Sequence, residues 1–206
     1  MLDFMHQAVK NVRQTGAVLP SSPALARVMT RTLRAADGPK RLLEVGPGTG
    51  AFTREMLAAL RPGDELHIVE LNPAFCARLE ARLLGPFRRR NPNAHVYLHQ
   101  APIEQANLEG VFDFIVCGLP FNNFPSTLVR SIFRQLLSLL APSGELVYFE
   151  YAGVRVMKAP LVGSDGRRHL RQISNLGRAL RRRHRGKREF VLGNFPPAIA
   201  VRLRRN

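Results

Sequence analysis

Acidic side chains, cysteine and large aromatics are scarce in this 206-residue sequence, which has 15 Asp and Glu, two Cys, three Tyr and no Trp. With only Cys76 and Cys117, a disulfide-stapled secreted module is excluded, and both thiols read as core residues. No apolar run approaches the ~20 residues that cross a bilayer. The opening MLDFMHQAVKNVRQ puts polar residues where a signal peptide carries its apolar segment, so cytoplasmic residence is the expectation. No His and Cys cluster has metal-ligand spacing, and no metal is expected. What remains is a chain that is 45% hydrophobic, enough to exclude a disordered tail and to build one core of ordinary size.

The positive charge is abundant and segregated. Lys and Arg number 31, for a formal net charge of +16. Residues 1–40 carry +4, residues 41–158 only +1, and residues 159–206 carry +11. A nearly neutral centre with basic ends implies a polyanionic partner, either nucleic acid or an anionic membrane surface.

Leu2, Met5, Val9 and Val12 recur at helical spacing, with Phe4 and Ala8 beside them, which predicts a short amphipathic helix. After a turn through Thr15, Gly16 and Pro20, Ser22 and Pro23 open a second helix that runs to about residue 33 and stops at Asp37-Gly38-Pro39. Strand and helix then alternate. Strands are expected at 41–45, 66–70, 94–99, 112–117 and 145–151, and helices at 50–60, 73–84 and 126–140. The first and fourth strands are nearly continuous apolar runs, as in strands buried on both faces of a parallel sheet. A basic helix over 167–184 follows, then strands at 189–192 and 198–203 that pair as a hairpin. The expected fold is α/β: a Rossmann-like, seven-stranded, mostly parallel sheet with helices on both faces and an antiparallel C-terminal hairpin.

The most informative run is EVGPGTG, Glu44 to Gly50, where a buried strand turns into a helix. Its glycines permit positive φ and a close approach of ligand to backbone. Glu70 ends the next strand twenty positions later, where a carboxylate can accept both hydroxyls of a ribose. Glu44 would repel a pyrophosphate but suits a cationic cofactor, and no Lys-Ser/Thr pair follows to make a phosphate-binding P-loop. Together these residues resemble the first motif and the ribose-binding acid of the class I S-adenosylmethionine-dependent methyltransferases, over roughly residues 40–151.

The fourth strand ends in Cys117-Gly118-Leu119-Pro120-Phe121. Amino-directed methyltransferases of this class carry a similar motif here: Asn, Asp or Ser, then any residue, Pro and an aromatic. Its backbone carbonyls accept from the target nitrogen, and its aromatic face attracts the developing cation. Gly118 departs from it by lacking the first side chain, a departure that argues against a flat nucleobase and leaves room for a nitrogen that grows with each methyl.

With TGAVLPSS (residues 15–22) and the N-terminal helix added, the whole chain resembles the bacterial phospholipid N-methyltransferases. These convert phosphatidylethanolamine to phosphatidylcholine and are related to the rRNA adenine dimethyltransferases. The resemblance implies S-adenosylmethionine as cofactor, held by Val18, Glu44, Gly46, Gly48, Thr49, Gly50, Glu70, Leu71, Gln100, Ala101, Pro102 and Cys117. At Gln100 many members carry an acid instead. Gly118, Leu119, Pro120 and Phe121 would present the amine, and Tyr148, Tyr151, Arg167 and Arg168 would bind the lipid. The implied organisation is a pair of helices (1–36) over the cofactor site and a methyltransferase domain (37–206) with its basic helix. The implied partners are the phospholipid and the anionic inner face of the bacterial plasma membrane, with no obligate protein partner.

An rRNA-type methyltransferase is the rival expectation, favoured by the same charge. Those enzymes begin the acceptor motif with Asn and append a helical domain after the last strand, whereas here Asn206 follows that strand closely. A third reading, a binding module that kept the fold and lost activity, sits poorly with an intact Glu44 loop and Glu70.

Overall fold

The computed structural model describes residues 21–35, 38–152 and 164–205. The expected amphipathic helix and Val18 lie outside them. Ser22 caps α1 (Pro23–Thr30), accepting from the Leu25 amide at 3.1 Å, and Pro23 occupies the first turn, where no helical N–H bond is lost. A 3-10 turn (Arg31–Ala35) extends it. β1 (Arg41–Val45) then leads through the glycine loop into α2 (Ala51–Leu57), followed by β2 (Glu65–Val69). α3 (Pro73–Leu79) widens into a π turn (Glu80–Leu84) and continues as α4 (Gly85–Arg90). Next come β3 (His95–His99), β4 (Phe112–Cys117), a 3-10 turn (Phe121–Asn123) and α5 (Ser126–Ser138). The chain ends with β5 (Leu140–Tyr151), α6 (Ser164–Arg183), β6 (Lys187–Val191) and β7 (Ala198–Arg204).

The seven strands form one sheet in the order β3-β2-β1-β4-β5-β7-β6. Pairing is parallel from β3 through β5, and β7 runs antiparallel to both β5 and β6. This is the expected Rossmann-like α/β fold. The chain leaves β1 towards one edge and β4 towards the other, which opens a crevice at their carboxyl ends. Side chains alternate between two cores. Ile115, Tyr148, Ile199 and Val201 face α5 and α6, while Leu66, Ile68, Val116 and Phe149 face α1, α2 and α3.

Polar ties hold the N-terminal segment to the sheet. The Thr32 hydroxyl donates to Glu145 at 2.6 Å, Arg202 donates to the Val28 carbonyl, and the Ser22 amide donates to Asn194 at 2.9 Å. A buried ion pair, Lys40 Nζ to Asp64 at 3.1 Å, joins the entrances of β1 and β2.

Two boundaries depart from expectation by more than three residues. The helix expected to stop at residue 84 runs on to Arg90, because the Gly85 N–H reaches back to the Glu80 carbonyl and carries the chain across Pro86. β5 begins at Leu140, not 145: Leu140 pairs with Phe112 ahead of a register shift, and Pro142-Ser143-Gly144 bulges within the strand. Among the described residues no helix is long and apolar enough to cross a membrane.

Candidate active site

The loop after β1 holds Gly46, Gly48 and Gly50 at φ of +71°, +56° and +86°. A Cβ on Gly46 would meet the Leu119 side chain at 2.5 Å, so this loop touches the one that follows β4. Gly48 is the opposite case: nothing lies within 4 Å of a Cβ placed there, and its face opens onto a cavity of about 350 Å³.

Two carboxylates flank that loop. Glu70, 7% exposed, accepts from the Gly48 N–H (3.1 Å) through one oxygen and from the Asn72 N–H (2.8 Å) through the other. Each oxygen keeps a second acceptor site, enough for a pair of vicinal hydroxyls. Burial raises its pKa, and the surrounding backbone N–H groups hold the rise back. Glu44 is fully buried, and no donor meets its oxygens in full hydrogen-bond geometry, although the Thr53 hydroxyl and N–H approach it. Burial pushes its pKa up to about 8; nearby Thr53 draws it down and the Glu70 charge adds to the rise. A carboxylate short of donors behind a glycine loop is a standing demand for positive charge. S-adenosylmethionine, a cationic nucleoside, fits this donor and acceptor set: the ribose against Glu70, the positive charge on the Glu44 side.

The expected residues divide around the cavity. Gly46, Gly48, Thr49, Glu70, Leu71, Ala101, Pro102, Gly118, Leu119, Pro120 and Tyr151 line it. Glu44, Gly50 and Cys117 are buried off its wall, and burial raises the Cys117 thiol to about 12, leaving it a neutral packing group. Gln100 is exposed and off the wall. Several wall residues carried no motif: Phe75, Ile103, Phe124 and Phe149 are on the wall with apolar periodicity as their only sequence signal, and Ser21, from the TGAVLPSS segment, joins them. Glu104, five residues past β3, buries both carboxylate oxygens without a partner.

At the acceptor end, the loop after β4 is shaped by its glycine. A Cβ on Gly118 would sit 2.5 Å from the Gly46 carbonyl and 3.2 Å from the Phe52 ring. The missing side chain therefore makes way for the glycine loop, and the expectation that it leaves room for a growing amine is corrected. Phe121 and Tyr148 line a second cavity of about 100 Å³, together with Glu150 and the apolar side of α6 (Leu170, Ile173). Pro120, Phe149 and Tyr151 belong to both walls, so the two spaces are neighbours. Phe121, Phe133 and Tyr148 pack ring to ring, with centroids 4.6 to 5.9 Å apart. The Tyr148 hydroxyl and Arg181 both donate to the same Glu150 oxygen at 3.2 Å. Burial and the Glu150 charge hold Tyr148 far above the usual phenol range, so it stays a protonated donor. Arg168 is exposed on α6, and Arg167 precedes it in the same helix.

Comparisons with known proteins agree with this fold and with the cofactor. A family described as "Methyltransferase domain" matches residues 21–188. The ornithine lipid N-methyltransferase of Singulisphaera acidiphila is 31% identical over 146 residues, covering 68% of this chain and 72% of that protein. Among solved structures, the O-methyltransferase from Bacillus cereus in complex with S-adenosylhomocysteine superposes with a TM-score of 0.68 at 14% identity, covering 98% of this chain and 91% of that one. The N-methyltransferase NodS from Bradyrhizobium japonicum, also with S-adenosylhomocysteine, gives 0.62 at 18% identity, covering 88% and 85%. Relatives of both acceptor types share the fold, so the fold alone does not choose nitrogen or oxygen. With a seven-stranded sheet of this order, a glycine loop between Glu44 and Glu70 and a methyltransferase match across most of its length, the chain belongs to the class I S-adenosylmethionine-dependent methyltransferases.

Proposed function

We propose that this enzyme methylates the primary amine of a membrane lipid, phosphatidylethanolamine and its mono- and dimethyl forms first. The observation that carries the reading is the second cavity. It adjoins the cofactor cavity across Pro120, Phe149 and Tyr151, and it combines aromatic faces with the Glu150 carboxylate, the chemistry that attracts an ammonium group. Bound S-adenosylmethionine supplies an electrophilic methyl group, and the chain's part is alignment. Tyr148 and Arg181 fix Glu150, which draws the amine inward. The apolar walls desolvate it and ease loss of its proton. The carbonyls around Pro120 then orient the lone pair. Val18 and the cavity-wall residues of the glycine loop hold the cofactor, and Arg167 and Arg168 reach a lipid phosphate.

The resemblance to a protein named for ornithine lipid, at 31% identity, favours that lipid as a second substrate class. Both lipids present a primary amine beside an anionic group.

The test offers methyl-labelled cofactor in parallel to vesicles containing phosphatidylethanolamine, vesicles containing ornithine lipid, and total RNA. Label in either lipid supports the reading and ranks the two headgroups. Label in RNA alone sinks it.

A further inference from the structure

Among the large hydrophobics of the described residues, three of the five that stand exposed lie within six positions of one hairpin: Phe190 (64%), Leu192 (80%) and Phe195 (79%). Scattered exposed apolar residues are ordinary, but a cluster at the tip of a rigid turn marks a docking surface. This turn is rigid because Asn194 is buried in it, donating to the Pro196 carbonyl at 2.7 Å and accepting from the Ser22 amide at 2.9 Å.

Its position follows from register. Val191 pairs with Ala198 across the hairpin, and Ala198 pairs with Tyr151 at the end of β5. Tyr151 is on the cofactor cavity wall, and so is Ser21, the neighbour of the residue that braces the turn. The tip therefore stands at the mouth of the cleft. The first half of α6 comes to the same end, because Gln172 accepts from Ser126 at the start of α5 (2.8 Å) and Leu170 lines the second cavity with Tyr151. That half carries Arg168 and Arg171, both exposed.

We infer that the β6–β7 turn is a lipid wedge: Leu192 and Phe195 enter the interface of an anionic bilayer while Arg168 and Arg171 rest on its headgroups, so that the cleft opens onto the membrane. The inference rests on the lipid reading of the substrate. Charge complementarity selects the occupant. Apolar side chains at the same end of the sheet as the exposed Arg168 and Arg171 match an interface whose headgroups are negative and whose interior is apolar. A second copy of this chain would bring a like charge of +16 against it.

The absence of tryptophan makes a clean probe possible. Phe195→Trp gives one indole at the tip, and Leu192→Ser with Phe195→Ser removes the apolar pair. Vesicles of phosphatidylethanolamine and phosphatidylglycerol are compared with dihexanoyl phosphatidylethanolamine below its micelle concentration. The double variant is expected to lose at least tenfold in vesicle sedimentation while methylating the monomeric lipid like the parent. The indole emission of the Phe195→Trp variant is expected to shift to the blue on vesicles and to be quenched by bromine-labelled acyl chains. Equal sedimentation of the parent and the double variant, or unshifted emission on bound vesicles, overturns the wedge. So does a lipid-free parent dimer that the serines dissolve, since the tip is then an interface between copies. A parent that binds vesicles through the tip yet methylates neither lipid form leaves the wedge standing and removes the substrate reading.

Discussion

Glu44 is the residue whose chemistry is most sharply constrained. Its carboxyl is buried, short of donors and raised to about 8, so at neutral pH the free protein holds it protonated. The unfolded chain ionises it near its ordinary value of 4.5. The folded state therefore binds the extra proton between those values, and this residue's contribution to stability falls as pH rises through that window. A cationic cofactor reverses the preference by favouring the carboxylate. Cofactor affinity is expected to rise with pH from 6 towards 8, by up to ~10-fold per unit, and to level above it. Calorimetry in buffers of different ionisation enthalpy reads the proton released on binding. Glu44→Gln should bind without releasing it, and a proton release unchanged in that variant sinks the assignment. The acids were legible in the sequence because strand ends place them. The reason for Gly118 was not, since the obstructing Gly46 carbonyl lies 72 positions away and no local pattern records it. Gln100 illustrates the same limit: position after a strand does not say which way the chain turns.

Elements were legible where hydrophobic period and caps agreed. β1 and β4 fall on their expected residues because both faces are buried, and α1 starts at its Ser-Pro cap. The failures share one cause. Gly85-Pro86 and Pro142-Ser143-Gly144 read as punctuation, but a π turn absorbs the first and a bulge the second. The packing of α6 on β5 depends on a glycine in the same hidden way. A Cβ on Gly177 would lie 2.9 Å from the Glu150 carboxylate, 3.2 Å from Arg181 and 3.5 Å from the Tyr148 hydroxyl. In an isolated helix Gly→Ala gains ~1 kcal/mol. Here it displaces a carboxylate that takes two hydrogen bonds, one of them from a guanidinium, and such bonds are worth ~1.5–3 kcal/mol. The loss outweighs the gain. Gly177→Ala is expected to lower the melting temperature by ~2–4 °C and to raise KM for the proposed lipid substrate more than it lowers kcat. A variant that melts higher than the parent shows that α6 does not approach β5 this closely.

At the scale of the molecule the dominant quantity is charge, and its segregation was visible from the sequence alone. The 31 Lys and Arg meet only 15 Asp and Glu, so most cations have no acidic partner to offset their mutual repulsion. The pairs that do form on the surface, such as Arg31 with Glu189 at 2.8 Å and Arg88 with Glu80 at 2.6 Å, are partly exposed and contribute at most ~1 kcal/mol each. Salt weakens both the pairs and the repulsion, with a screening length of ~8 Å at physiological ionic strength. The repulsion is the larger sum, because it runs over every cation while the pairs are few. Two opposite responses follow from one cause. Raising sodium chloride from ~0.05 to ~0.5 M is expected to raise the melting temperature of the free protein by a few degrees, because screening relieves self-repulsion. Over the same range, sedimentation with vesicles rich in phosphatidylglycerol should fall at least tenfold, because screening removes the attraction proposed between the basic surface and the headgroups. A melting temperature that falls with salt would place the stability in the ion pairs. Vesicle binding that ignores salt would leave the apolar tip of the β6–β7 turn, and not the arginines beside it, as the source of membrane affinity.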